Sequence, residues 1–153
     1  MASLYELDKP IQENQLKGLR GPLESLQGNI LRGHGRDRSI HIFLSFNNGK
    51  RADVKEWIKR LTDRLTSAQQ QLVEAERYRY HNMPGRLFMN FFLSAQGYEY
   101  LSLNQKDRLL FNDDAFLRGM KAAQHRLNDP PKGTWEVGYQ NDIHAIEGLL
   151  KVF

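Results

Sequence analysis

Cysteine is absent from the 153 residues. That excludes a disulfide framework, a thiolate nucleophile, Cys-ligated zinc and an iron–sulfur cluster. It also rules out a small secreted disulfide scaffold. Long apolar runs are missing too. The longest, Leu87 to Leu93, is interrupted by Asn90 and falls well short of the ~20 residues that cross a bilayer as a helix. Charge of one sign is not in excess: 22 Lys and Arg stand against 18 Asp and Glu, a formal net charge of +4. Acids spread among the bases do not make the basic stripe of a nucleic-acid binder. Met1 to Leu16 carries Glu6, Asp8 and Glu13 without an apolar core, so it does not read as a secretory leader. The default expectation is a cytoplasmic protein with no membrane partner.

The remaining composition is that of a globular domain. It is 40% hydrophobic and 26% charged, near the average for soluble folds, and its length suits one domain with a real core. Asp8, Pro10, Gln12 and Glu13 predict a short first helix ending near Gly18. Pro22 opens a second, with Leu23, Leu26, Ile30 and Leu31 on one stripe. Gly33 to Arg38 is a flexible connection. Ile40, Ile42, Leu44 and Phe46 alternate with His41 and Ser45, predicting a half-buried strand. Val54, Trp57, Ile58, Leu61 and Leu65 predict an amphipathic helix from Asp53. Ser67 with Gln70 then forms a capping box for another, carrying Leu72 and Ala75.

Leu87 to Leu93, apolar on both faces, predicts a central strand covered on both sides. Ser94 caps a short helix with Tyr98 and Leu101, and Asp113 or Asp114 caps one with Phe116, Leu117 and Met120. Asn128 to Gly133 must be a loop. Ile143 to Phe153 predicts a third strand, with Gly148 a bulge. The first crossover is long and helical enough for a right-handed βα unit. The sequence stops inside this apolar segment rather than in a polar tail, which predicts a fold that is unfinished or is finished by another polypeptide.

Motifs for chemistry are scarce. Gly33-His34-Gly35 precedes a strand, whereas a dinucleotide fingerprint follows one, and neither Gly28 nor Gly33 leads to a P-loop Lys-Ser or Lys-Thr. His34, His41, His81, His125 and His144 show no i, i+4 pairing of a helical metal site. No G-x-S-x-G elbow supplies a serine nucleophile. Asp113-Asp114 reads as a helix cap, and Glu74 with Glu76 as a solvated face. Arg32, Arg36 and Arg38, and Arg77, Arg79 and Arg86 with Tyr78 and Tyr80 interleaved, are the best case for nucleic acid. Ordinary surface arginine is the better account of them.

Three ordered stretches carry a resemblance. Leu26-Gln27-Gly28-Asn29-Ile30-Leu31-Arg32-Gly33 resembles the N-terminal signature of the dye-decolorizing (DyP-type) haem peroxidases. Phe91 to Leu101 resembles that family's second strand and the helix after it. Phe116 to Met120, then Leu127 to Pro130 and Trp135, resemble the insertion before its third strand, which matches Asp142 to Leu150. The resemblance implies an α+β fold: a partial ferredoxin-like domain, an antiparallel sheet with helices packed on one face. Residues 1–25 would be a helical extension and 26–153 the incomplete domain, lacking a second helix and a fourth strand.

It also implies hydrogen-peroxide-dependent oxidation of dyes and aromatic compounds by haem b. The family's G-x-x-D-G motif, distal Arg and axial His all lie downstream of the matched region. Gly138 to Asp142 and Gly33 to Asp37 are each one residue too long for that motif and lack its final Gly. No catalytic, haem-binding or metal residue is therefore assigned to this chain, His34 and Asp142 included. The chain reads as the N-terminal portion or small subunit of such an enzyme, in a heterodimer with a second polypeptide that carries the motif and the axial His. An inner sheet face of Ile42, Leu44, Phe46, Phe91 and Leu149 would lack part of its cover, as would an open edge, and a complementing strand would close both. The alternatives are a non-catalytic ferredoxin-like interaction module and, more remotely, nucleic-acid binding.

Overall fold

A computed structural model describes residues 20–101, 113–140 and 146–153. The first predicted helix, Asp8 to Gly18, lies outside them, as do His144, Asp142 and the start of the third predicted strand. The chain divides into two compact units, one of residues 1–37 with 66–88, the other of 38–65 with 89–153.

In the first unit, α1 (Arg20–Ser25) and α3 (Ala68–His81) pack together, with Leu23 and Ala68 buried. The predicted stripe from Leu23 to Leu31 does not form. The helix stops at Ser25 because the chain turns out to bond elsewhere: Ala68 N–H donates to Leu26 O at 2.8 Å and Gly28 N–H to Thr66 O at 2.7 Å. Asn29 takes a left-handed φ of 66°, which asparagine tolerates better than most residues. Ile30 and Leu31 are left exposed on the loop. At the start of α3 the Ser67 hydroxyl accepts from Gln70 N–H at 3.1 Å, the expected cap. The Gln70 side chain turns to Glu74 at 3.1 Å instead of reaching back, so only half of the capping box forms.

The second unit holds β1 (Ile40–Leu44), α2 (Arg51–Thr62), β2 (Met89–Leu93), α4 (Ala95–Tyr100), α5 (Asp114–Ala122), α6 (Gln124–Leu127), a 3-10 turn (Lys132–Thr134), α7 (Val137–Gln140) and β3 (Gly148–Val152). The sheet order is β1-β3-β2, both neighbours antiparallel to β3. β1 and β2 are therefore parallel and one strand apart, the split βαβ arrangement. The strand expected at the centre, Leu87 to Leu93, stands at the end of the three-stranded order among the described residues, and β3 is central. Hydrophobicity on both faces marked β2 as covered, but pairing is non-local and the run itself does not encode which neighbour it takes. Leu87 lies outside the strand and is exposed.

Register assigns the faces. Ile42, Leu150 and Phe91 form one row, while Phe43, Leu149 and Phe92 form a row on the other side. Leu149 thus faces away from Ile42, Leu44 and Phe91, contrary to the inner face expected from sequence. Trp57 of α2 meets Phe91 edge-on, ring centroids 5.9 Å apart, and Tyr100 of α4 meets Phe46 at 5.2 Å. Both helices cover the face that carries Ile42. Gly148 is no bulge: it pairs with Leu44 and Leu93 in regular register. A β-carbon there would meet the Phe91 ring at 3.2 Å and the Phe46 ring at 3.5 Å, so glycine at this position makes room for two rings.

The caps behave as expected. Ser94 Oγ accepts from Gly97 N–H at 3.1 Å, and Asp113 Oδ1 from Phe116 N–H at 3.0 Å. α5 is kinked at Gly119, whose φ of 69° and ψ of 175° suit only glycine.

Candidate functional site

The least finished part of the second unit is β1. All its residues but Leu44 are exposed, although three of the five are large and apolar besides. Ile40 is 64% and Ile42 42% exposed on the face that α2 covers elsewhere, and Phe43 is 48% exposed on the opposite face. The half-buried strand expected from alternation is therefore wet on both sides. The period of two is real, but cover depends on a neighbour that periodicity does not report. β1 has no strand on its outer edge among the described residues. Nor does it carry the Lys, Pro or bulge with which edge strands usually discourage pairing.

Beside β1, on the α2 face, runs a groove of about 400 Å3. Leu44, Phe46, Val54 and Trp57 form its apolar wall, and Lys50 and Asp53, paired at 3.3 Å, stand on its rim. On the opposite face Phe43, Leu149 and Phe92 make an apolar row across all three strands. Tyr139 of α7 touches one end of it, 5.6 Å from Phe43, and Phe92 at the other end is 45% exposed. Fully burying each such side chain is worth ~1.5–3 kcal/mol, so the cover is of consequence for stability.

The first unit gathers a charged cluster. The Arg36 guanidinium lies 3.7 Å from Glu74, donates to Arg86 O and stands 5.8 Å from the Phe88 ring centroid. Arg86 N–H donates to Glu74 Oε2 at 3.2 Å. The Glu74 side chain is only 13% exposed, so the solvated face expected for Glu74 and Glu76 holds for Glu76 alone. His34 lies 5.4 Å from the same Phe88 ring, and its Nδ1 accepts from Arg36 N–H at 2.9 Å. The connection expected to be flexible between Gly33 and Arg38 is irregular but anchored.

The remaining candidates stay apart. His41 pairs with Ser39 at 3.2 Å, and His81 and His125 stand exposed on helices. No group of three or more potential metal ligands occurs among the described residues. Neither the groove nor a second concavity of about 710 Å3 beside α5 is lined by a histidine, methionine or tyrosine, the neutral and phenolic ligands of haem iron. Among the described residues, these two concavities therefore offer no such ligand to haem iron. Of the arginine clusters, Arg36 is bound into the Glu74 site and Arg32 and Arg38 are exposed. Tyr78 and Tyr80 are exposed, but two residues apart on a helix they point to opposite sides and form no common stacking platform. Sequence reasoning missed Gln71, buried on α3, whose amide holds the loop after α1. No local signal marks it, because its partners lie about forty residues away.

Comparison with known proteins agrees with this architecture. The DyP dimeric alpha+beta barrel domain matches residues 25–150. The multifunctional dye peroxidase DyP2 of Amycolatopsis sp. is 34% identical over 124 residues, which cover 81% of this chain and 25% of that protein. The crystal structure of a DyP-type peroxidase from Anabaena sp. superposes with a TM-score of 0.84 at 37% identity, covering 99% of this chain and 33% of that one. DyP2 in its solved form gives 0.73 at 32% identity, over 85% and 26%. The chain thus spans a quarter to a third of the length of these relatives. It belongs to the dye-decolorizing, DyP-type peroxidase family, as the α+β domain of that family's N-terminal part.

Proposed function

We propose that this chain is the structural N-terminal portion, or small subunit, of a DyP-type haem peroxidase that oxidises dyes and aromatic compounds with hydrogen peroxide. Its task is to complete the fold and help wall the haem b cavity. A second polypeptide stretch, bearing the G-x-x-D-G motif and the axial His, supplies the oxidising machinery. The observation that carries this reading is the open β1. Among the described residues, this strand has Ile40, Ile42 and Phe43 exposed, no neighbour on its outer edge and an apolar groove beside it, room that one further strand and one further helix would fill. Those are the two pieces that a split βαβ unit needs to become a full ferredoxin-like sheet. The length of the relatives, three to four times that of the matched segment, supports the same reading.

Reconstitution tests it. The part of the Amycolatopsis dye peroxidase not covered by this chain is expressed as a separate polypeptide, loaded with hemin and mixed with this chain. The expected result is a 1:1 complex in which the backbone amides of β1 gain protection from hydrogen exchange, together with peroxide-dependent dye oxidation. A complex that leaves β1 unprotected, or no complex, overturns the proposal.

A further inference from the structure

The loop after α1 is held with unusual firmness for a segment that ends in solvent. Gln71, 7% exposed on α3, accepts from Asn29 N–H through Oε1 at 2.8 Å and donates from Nε2 to Arg32 O, also at 2.8 Å. One buried amide thus grips both ends of the Asn29–Arg32 segment. Gly28 fixes its entry: a β-carbon there would stand 2.7 Å from Phe88 Cζ and 3.2 Å from Gln71 Oε1. Thr66 O and Asn29's left-handed backbone complete the constraint.

What this clamp presents is Ile30, 60% exposed, and Leu31, 38% exposed, followed by the exposed Arg32. Two adjacent large aliphatics at the tip of a loop would ordinarily fold inward, since each gains ~1.5–3 kcal/mol on burial. Here the hydrogen bonds that place the backbone also point the pair away from the core formed by Leu23, Ala68 and Phe88. A side-chain pair set in advance on a rigid backbone loses little entropy when covered, which is how a preorganised contact gains affinity.

We infer that the Ile30–Leu31 tip is a preset apolar contact for the rest of the peroxidase polypeptide, and that Gln71 is the residue that positions it. The occupant is the remaining chain of the enzyme, because the matched relatives are three to four times as long as the segment this chain covers. The inference rests on the proposed function but uses residues of the first unit, none of which belongs to the β1 edge or its groove. It is independent of where the closing strand goes.

The test uses the full 153-residue chain and, as probe, the uncovered part of the Amycolatopsis dye peroxidase, with affinity read by calorimetry. Leu31→Glu is expected to weaken binding by about tenfold or more while circular dichroism and thermal midpoint stay unchanged. Gln71→Leu, which removes both grips, is expected to weaken binding by a similar factor and to raise hydrogen exchange at Asn29. In the Gln71→Leu chain, Leu31→Glu costs less than in the unsubstituted one, because the tip is no longer preset. If the unsubstituted chain binds and Leu31→Glu binds equally well, this inference fails and the proposed function stands. If the unsubstituted chain does not bind, both fail. If the only effect of Leu31→Glu is to convert a self-associated chain to a monomer, the occupant is a second copy and the inference is likewise overturned.

Discussion

Gly97 lies so close to Glu147 that a β-carbon on it would stand 2.1 Å from the Glu147 carbonyl oxygen. This contact is the point where the second unit is tied together. Glu147 N–H donates to Leu44 O at 2.9 Å, its own carbonyl accepts from Ser94 N–H at 3.0 Å, and its carboxylate accepts from Phe46 N–H at 2.9 Å. One residue therefore joins the ends of β1 and β2 to the start of α4. The obstacle to any side chain at 97 is backbone, which cannot swing away. Gly97→Ala is expected to cost ~1–3 kcal/mol or more, read as a lower urea midpoint with the slope m unchanged. Wild-type stability for this variant would contradict the packing described.

At Gly28 the obstruction is a ring instead. Phe88 is 2% exposed, and its Cζ blocks the space beside Gly28. Because a buried ring can yield only slightly, Gly28→Ala is expected to lose ~1–3 kcal/mol. Phe88→Ala removes the packed ring itself and is expected to lose ~3–5 kcal/mol. Chemical denaturation of both variants checks the order; a larger loss for Gly28→Ala than for Phe88→Ala would contradict it.

The helix caps give a smaller and separable effect. Ser67, Ser94 and Asp113 each accept one otherwise orphaned N–H at the start of a helix. Replacing each by Ala is expected to cost ~1 kcal/mol. Positions 67 and 94 belong to different units, so their losses are expected to add within ~0.5 kcal/mol in the double variant. Thermal melts of the singles and the double measure this.

The β1 edge predicts behaviour in solution. An exposed, uncharged edge strand is a template for pairing with other chains. Ile42→Lys places a charge on the outer strand at a position 42% exposed, where it costs little packing. It is expected to raise the concentration at which the chain stays monomeric, measured by light scattering, and to abolish complex formation with the remainder of the peroxidase. Unchanged assembly would show that β1 is not the acceptor edge.

Much of this architecture is legible in the sequence. The alternation at Ile40 to Leu44, the apolar spacing from Val54 to Leu61, and the capping residues Ser67, Ser94 and Asp113 are local signals, and the elements stand where they point. What is not legible is pairing. Nothing in Leu87 to Leu93 tells that Met89 to Leu93 pairs with Gly148 to Val152, or that Leu149 turns away from Phe91, because register is settled by partners some sixty residues distant. Ile30 and Leu31 have helical spacing, yet the Gln71 amide and the Phe88 ring against Gly28 draw them into a loop. The ordinary surface reading of Glu74 fails for the same reason: Arg36 and Arg86 reach it from far along the chain.

The central claim is that peroxide chemistry resides in polypeptide beyond these residues, and hemin titration of the purified 153-residue chain tests it most directly. The account predicts a broad, unligated Soret absorption and no dye oxidation above that of free hemin after peroxide is added. A sharp Soret band of histidine-ligated haem, with dye turnover by this chain alone that is lost on replacing His34, His41, His81, His125 or His144, would contradict it.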